Sequence, residues 1–273
     1  MTHEAMVPRF FDMMGSTQAT EYDLSVSSMG DFVEFDWNID YDEVDEGYKS
    51  TATHVEYTKG LKIRRKLWDD DKHDIIRRLP AQRGIAAARS REKSGASIFN
   101  GAFSGTSGPD SLSLCSTAHT STVAGVATQS NSGTDVLSKT TVSSTRLSMK
   151  KFKQLNGELV ECEPDMLIVP LDKEEDGWII ISSKGEPETD INNANFHYGK
   201  FKLAVWNRLT STTAWFMVDS RLMKQCLVWY DRVKLELNQD TAFNTYERRW
   251  SAYMRYVSFW NHWIWIFGQN ATS

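Results

Sequence analysis

Cysteine is scarce in this 273-residue chain: Cys115, Cys162 and Cys226 are odd in number and widely spaced. That excludes a disulfide framework and fits a reducing compartment. Long apolar runs are missing as well. The longest, Trp263 to Phe267, falls far short of the roughly 20 residues a membrane helix needs, so no membrane partner is expected. The start, Met1-Thr2-His3-Glu4, lacks a basic segment followed by an apolar stretch, and no secretory leader is expected. There is no phosphate-binding GxxxxGKS/T loop, no GxGxxG opening a helix, no HExxH, no paired CxxC and no GxSxG elbow. No cofactor and no metal are expected. What is present is ordinary globular material: 40% hydrophobic, 25% charged and 12% aromatic residues, enough for a core that needs no staple. At roughly 150 residues per domain, the length fits one or two domains.

The net charge of −5 conceals an asymmetry. Residues 1–60 carry 3 Lys/Arg against 13 Asp/Glu, whereas residues 61–100 carry 11 against 5. Such a chain presents an acidic lobe beside a basic one.

Within the acidic lobe, Val33, Phe35, Trp37, Ile39 and Tyr41 alternate with Glu34, Asp36, Asn38, Asp40 and Asp42. Period two over ten residues predicts a strand with one aromatic and one acidic face. A turn at Glu46-Gly47-Tyr48 and a weaker alternation through Thr53, Val55, Tyr57, Leu61 and Ile63 complete a predicted long β-hairpin. A lone hairpin is marginal in water, so its aromatic face needs a cover. Its own domain or a neighbouring molecule can supply one. Eight acids between Asp31 and Glu46, with no base among them, suit a projecting arm. Residues 1–30 are polar without a clear period and read as an arm rather than a core element.

The basic lobe reads as helical over 69–103. Asp69, Asp70 and Asp71 favour a helix N-terminus, Pro80 ends a short helix, and a longer one is predicted to start just after it. Its apolar stripe is thin, and Arg77, Arg78, Arg83, Arg89, Arg91 and Lys93 make the rest basic. That suits either contact with a phosphate backbone or pairing with acids of a neighbouring segment. Interleaved aromatics are missing, so base recognition is not expected. From Ser104 to Ser148 the Ser, Thr and Gly content predicts an irregular connection, then a short helix from Leu147 to Leu155. A strand at Met166 to Val169, a helix at Asp172 to Ile181 and strands at Phe201 to Arg208, Ala214 to Val218 and Cys226 to Leu237 follow. Tyr246 to Phe267 predicts a long aromatic strand or strand pair.

One local cluster, Asp110, Cys115 and His119, has residue types used in catalysis. The surrounding composition argues against a helix that would set Cys115 facing His119, so no active site is expected and the chain does not read as an enzyme.

Gly108-Pro109-Asp110 with Leu114, then Ser116-Thr117-Ala118-His119, resembles a signature stretch of tailed-phage major capsid proteins, in particular the Mu-like major head subunit group. Flanking landmarks agree in order. Trp68-Asp69-Asp70-Asp71, Leu79-Pro80 and Gly84 with Ala86-Ala87-Ala88 are similar to that group's approach to its long helix. Leu167-Ile168-Val169-Pro170-Leu171, Trp178 to Ser183, Asn192 to Asn195 and Ala214-Trp215-Phe216 are similar to its later landmarks. The close, Tyr256-Val257-Ser258-Phe259-Trp260 to Trp265-Ile266-Phe267-Gly268, resembles its last aromatic motif. Two positions depart: Thr120 stands where a proline is usual, and Trp260 where a glycine is usual.

The resemblance, over about 30–270, implies an α+β protein of the Hong Kong 97 type. It places an N-terminal arm at 1–30, an extended β-hairpin loop at 31–66 and a peripheral domain at 67–159 with a spine helix near 81–103. An axial domain follows at 160–240, and a C-terminal strand at 241–273 returns to the peripheral domain. The implied function is the major capsid (head) protein of a tailed double-stranded DNA phage, part of the virion and assembled in the host cytoplasm. An encapsulin-like compartment shell is the alternative. Implied partners are copies of itself in hexamers, pentamers and an icosahedral shell, packaged double-stranded DNA bound without sequence preference, a portal, a scaffold and a cement protein. On this reading Val33, Phe35, Trp37, Ile39, Tyr41, Val55 and Tyr57 are inter-subunit contacts, and Arg77, Arg78, Arg83, Arg89, Arg91 and Lys93 face DNA.

Overall fold

A computed structural model describes residues 5–26, 32, 34, 35, 37, 39, 41, 46–71, 75–104, 108–121, 123, 126–185 and 194–271. The helices are α1 (Met6–Phe10), α2 (Arg65–Asp69), α3 (Ile75–Arg78), α4 (Gln82–Asn100), α5 (Lys139–Met149), α6 (Glu174–Ser182) and α7 (Ser220–Cys226). The strands are β1 (Asp12–Gly15), β2 (Thr20–Val26), β3 (Glu46–Thr53), β4 (Val55–Ile63), β5 (Ser132–Gly133), β6 (Met166–Val169), β7 (Lys202–Val205), β8 (Trp215–Val218), β9 (Leu227–Thr241), β10 (Arg248–Trp260) and β11 (Ile266–Gln269). They group into two compact units.

The first unit comprises Met1–Glu21, Ala52–Gly95 and Val228–Phe259. Its sheet has the order β1-β9-β10-β4. Trp250, Ala252, Met254 and Tyr256 are buried at every second position of β10, the alternation expected of a strand with one covered face. Trp229 fills that core, edge-on to Phe11 at 5.6 Å and stacked on Tyr256 at 4.6 Å. Phe10 and Phe11 are fully buried, so the first residues supply core rather than only an arm. Two adjacent phenylalanines carry no periodicity, yet one short helix turn followed by β1, parallel to β9 from Asp12↔Val228, puts both rings inside.

Pro80 acts as expected. It sits in a 3-10 turn, Leu79–Ala81, and α4 starts at the next residue, past the point where proline's missing N–H and ring would disrupt a helix. The acids divide their work differently from the expectation: α2 ends at Asp69, and Asp71 Oδ2 accepts the Ile76 N–H at 2.9 Å, capping α3.

The second unit comprises Tyr22–Thr51, Ala96–Leu227 and Trp260–Ser273. Its sheet runs β5-β11-β8-β6-β7. Strands β6 and β7 are parallel with α6 between them in sequence, a βαβ unit, and all four residues of β6 are buried, which explains its uninterrupted apolar run. Phe99 anchors the core, edge-on to Trp206, Phe216 and Trp265 at 5.4 to 6.0 Å. The expected short helix at 147–155 lies earlier. Helix α5 begins inside the Ser/Thr-rich stretch, where Ser138 and Thr141 form a capping box, and it buries Val142, Thr145 and Met149 on one face.

The long hairpin differs most from expectation. The alternating residues 35, 39 and 41 form no strand, and Trp37 has φ of 61°, outside the extended region. Strand β4 pairs antiparallel with β10, Val55↔Tyr256 to Ile63↔Arg248, rather than with the alternating segment. The paired ribbon is instead β2 with β3. Thr20 meets Thr53 through their hydroxyls, and the Ser25 hydroxyl donates to Tyr48 O at 3.1 Å, so the register is antiparallel. The predicted turn at Glu46-Gly47-Tyr48 lies within β3. Gly47 is needed because a Cβ there would sit 2.2 Å from Ser25 Oγ.

Candidate functional site

Between β2 and β3, which are rooted at Thr20 and Thr53, the described residues are 32, 34, 35, 37, 39 and 41. The described aromatic and aliphatic side chains there are open to solvent: Phe35 is 68% exposed, Trp37 89%, Ile39 65% and Tyr41 80%. Phe35 and Trp37 touch each other at 6.4 Å between ring centres. Val33 lies outside the described residues. Contiguous aromatic surface facing water in one short segment marks an interaction site. Val55 and Tyr57, grouped with these residues from sequence, belong elsewhere. Both lie on β4; Val55 is half exposed, and Tyr57 stacks on Tyr256 at 4.4 Å and 8°. Tyr57 is therefore covered within its own unit.

The basic helix divides in the same way. Arg83 donates from Nε to Pro80 O at 2.8 Å and from Nη1 to Asn238 O and Ser251 O at 3.1 and 2.9 Å. Arg91 makes a two-pronged bond to Asp231 at 2.7 and 2.9 Å and lies 4.8 Å above the Trp229 ring. Both guanidinium groups hold α4 to the sheet of the first unit and are engaged within it. Arg78, Arg89 and Lys93 remain exposed. The side chain of Arg77 lies outside the described residues.

The signature stretch is a structural knot. His119 is buried, with Nδ1 at 2.5 Å from Asp110 Oδ2, Nε2 at 3.1 Å from Asn131 Oδ1, and its ring stacked on Trp263 at 4.4 Å. Asn131 in turn accepts the Ser116 N–H and donates to Leu114 O and Ile266 O, tying the loop to β11. Burial opposes ionisation of Asp110, but the hydrogen bond and charge of His119 outweigh it and hold the carboxyl below its ordinary range. Burial pushes the Cys115 thiol upward, away from the thiolate a nucleophile needs, and both ring nitrogens of His119 are occupied. The departures from the expected signature fit here. A Cβ on Gly108 would overlap Trp260, so this glycine leaves room for the tryptophan. Thr120 accepts the Tyr48 hydroxyl through its carbonyl at 3.1 Å, fastening β3 to this loop. No group of three or more potential metal ligands exists among the described residues, and no described helix is long and apolar enough to cross a membrane.

A family model described as phage capsid protein matches residues 47–267, four-fifths of the sequence. The chain belongs to the phage capsid protein family. Its α+β fold is that of solved capsids of the Hong Kong 97 type. The capsid subunit of cyanophage P-SCSP1u superposes with a TM-score of 0.64 at 12% identity, covering 99% of this chain and 89% of that one. The capsid of bacteriophage JBD30, decorated with minor capsid protein trimers, gives 0.64 at 10% identity over 77% of this chain and 92% of that one. The mature capsid of bacteriophage PhiM1 gives 0.62 at 11% identity over 96% and 85%. No curated protein matches the sequence. For a phage capsid protein the exposed ribbon end and the exposed cations of α4 are candidate contact surfaces.

Sequence reasoning missed one basic segment. Between Asp135 and Glu158 the chain carries Lys139, Arg146, Lys150, Lys151 and Lys153 and no acid. The signal was present in the charge pattern but diluted by the Ser and Thr residues around it.

Proposed function

We propose that this phage capsid protein is the major head subunit of a tailed double-stranded DNA phage, closing into hexamers and pentamers of an icosahedral shell. The observation that carries the reading is the set of solvent-facing Phe35, Trp37, Ile39 and Tyr41 on a ribbon that its own unit leaves uncovered. Burying four such side chains on another copy yields roughly 6–12 kcal/mol before association costs, enough to make the ribbon the main clasp of a ring. A head-to-tail contact of this kind closes rings when the rotation permits. The acids flanking these rings keep ribbons from pairing with one another.

Non-specific contact with packaged DNA is assigned to Arg78, Arg89 and Lys93, whose charges stay available to phosphates. A portal, a scaffold and a cement protein complete the partner set, with assembly in the host cytoplasm and no catalytic role for the subunit. The match to a phage capsid family favours a viral head over an encapsulin-like compartment. Replacing residues 27–45 with a short Gly-Ser link, which spares β4 and its pairing with β10, is expected to leave a folded subunit by circular dichroism and to abolish particles in electron micrographs. Normal particle yield from that variant overturns the reading.

A further inference from the structure

We infer that the outer face of α5, together with the segment Phe196–Lys200 and Lys184, is a binding surface for the phosphate backbone of duplex DNA. This rests on the reading of the chain as a shell subunit around double-stranded DNA, and adds a second contact to that of α4.

The face is built from cations drawn together by the fold rather than by sequence. Arg146 of α5 and Lys200 both lie over the Phe196 ring, at 5.4 and 3.2 Å from its centre, and Lys184 lies 5.9 Å from the centre of Tyr198. Both rings are about half exposed. His197, between them in sequence, is buried beneath, and its ring nitrogen Nε2 meets the Ser143 hydroxyl at 2.8 Å. Burial holds this imidazole below its ordinary value, opposed by a backbone hydrogen bond at Lys139 and reinforced by the positive charges of Lys139, Arg146 and Lys200. Like charges such as those of Arg146 and Lys200 over one ring repel, and an anion that joins them relieves that cost. One carboxylate near Arg146 is Glu163, which Lys150 engages as an ion pair. Helix stability alone does not explain the pattern. Arg146 and Lys150 suit the C-terminal end of α5, but Lys139 stands in its first turn, against the helix dipole.

Two other anions compete for the face, and its chemistry disfavours the first. The acidic ribbon end of a second copy presents large apolar side chains that need apolar cover. Here Thr140, Ser144 and Ser148 are the exposed neighbours, Leu147 is the lone exposed aliphatic residue of α5, and the ring faces are already occupied by cations. Short polar side chains beside the cations suit close approach of a phosphate backbone. The second is the chain's own Glu186, Glu188 and Asp190, which lie outside the described residues.

The test is binding of a fluorescein-labelled random-sequence 20-base-pair duplex to the full chain, followed by anisotropy across a sodium chloride series. Neutralising Arg146→Gln, Lys184→Gln and Lys200→Gln together is expected to lower the slope of log affinity against log salt by about 3, close to one per lost phosphate contact, with particle formation unchanged. The double variant Lys184→Gln with Lys200→Gln, both at exposed positions, is expected to lower it by about 2 and guards against misfolding at Arg146. An unchanged slope, or no duplex binding by the unaltered chain, overturns the inference while leaving shell formation as evidence for the subunit's role. Loss of particles with unchanged DNA binding makes the face a subunit contact and also overturns it. The variant Glu186→Gln, Glu188→Gln, Asp190→Asn is expected to keep the original slope; a steeper one means that these acids occupy the face, and refutes the assignment.

Discussion

Arg91 and Arg89 stand two positions apart on one helix and do different work. The first is clasped by Asp231 and roofed over Trp229, the second faces water. Residue type and spacing made both look alike; only the position of β9 separates them, and no local rule sets that position. The signature histidine shows the reverse. His119 was marked by its sequence neighbourhood, but its partners, Asn131 and Trp263, come from 12 and 144 residues away. Its neighbour His262 supplies a pH-dependent term. Burial, reinforced by the charge of His119 and opposed by Asp110, lowers its value from 6.5 to about 4, and its Nδ1 accepts the N–H groups of Trp263 and Ile264. The unfolded chain therefore takes up this proton more readily than the folded one. Stability from this source is complete above about pH 6.5 and drains away as the pH falls toward 4, by up to about 3 kcal/mol. The variant His262→Asn, which keeps an acceptor near Nδ1, is expected to show a shallower fall in Tm between pH 6.5 and 4.5. An equal fall in both proteins contradicts this origin.

Elements were legible where local chemistry decides them. The proline before α4, the apolar run of β6 and the acid-led helix α6 needed nothing beyond their own residues. Helix α5 was obscured because serine and threonine are weak helix formers, and its start depends on a cap rather than on periodicity. Of the alternating segment 33–42, residues 34, 35, 37, 39 and 41 are described, and they lie outside any strand. Alternation marks a strand only when a partner strand and a covered face exist, and the described residues of this segment have neither within the chain. Two aromatics once assigned to one face thus separate experimentally. Tyr57→Ala, which removes the stack on Tyr256, is expected to cost the isolated subunit about 2 kcal/mol in urea unfolding. Trp37→Ala is expected to leave that midpoint within about 0.5 kcal/mol while lowering particle yield several-fold. Equal effects on the midpoint would return both residues to a common role.

For the molecule as a whole, the order of short motifs pointed to the family that the family model then showed. Motif order could not place the ribbon, because the cover proposed for it belongs to another copy and would leave no periodic trace in this one. Self-association of many weak sites makes a closed shell cooperative, so modest contacts per ribbon suffice. The most direct measurement is electron cryomicroscopy of particles formed by the purified full-length chain. The account predicts closed shells in which Phe35, Trp37, Ile39 and Tyr41 of each subunit are buried against a neighbouring copy. Single subunits, or shells whose ribbon ends fold back on their own chain, would contradict it.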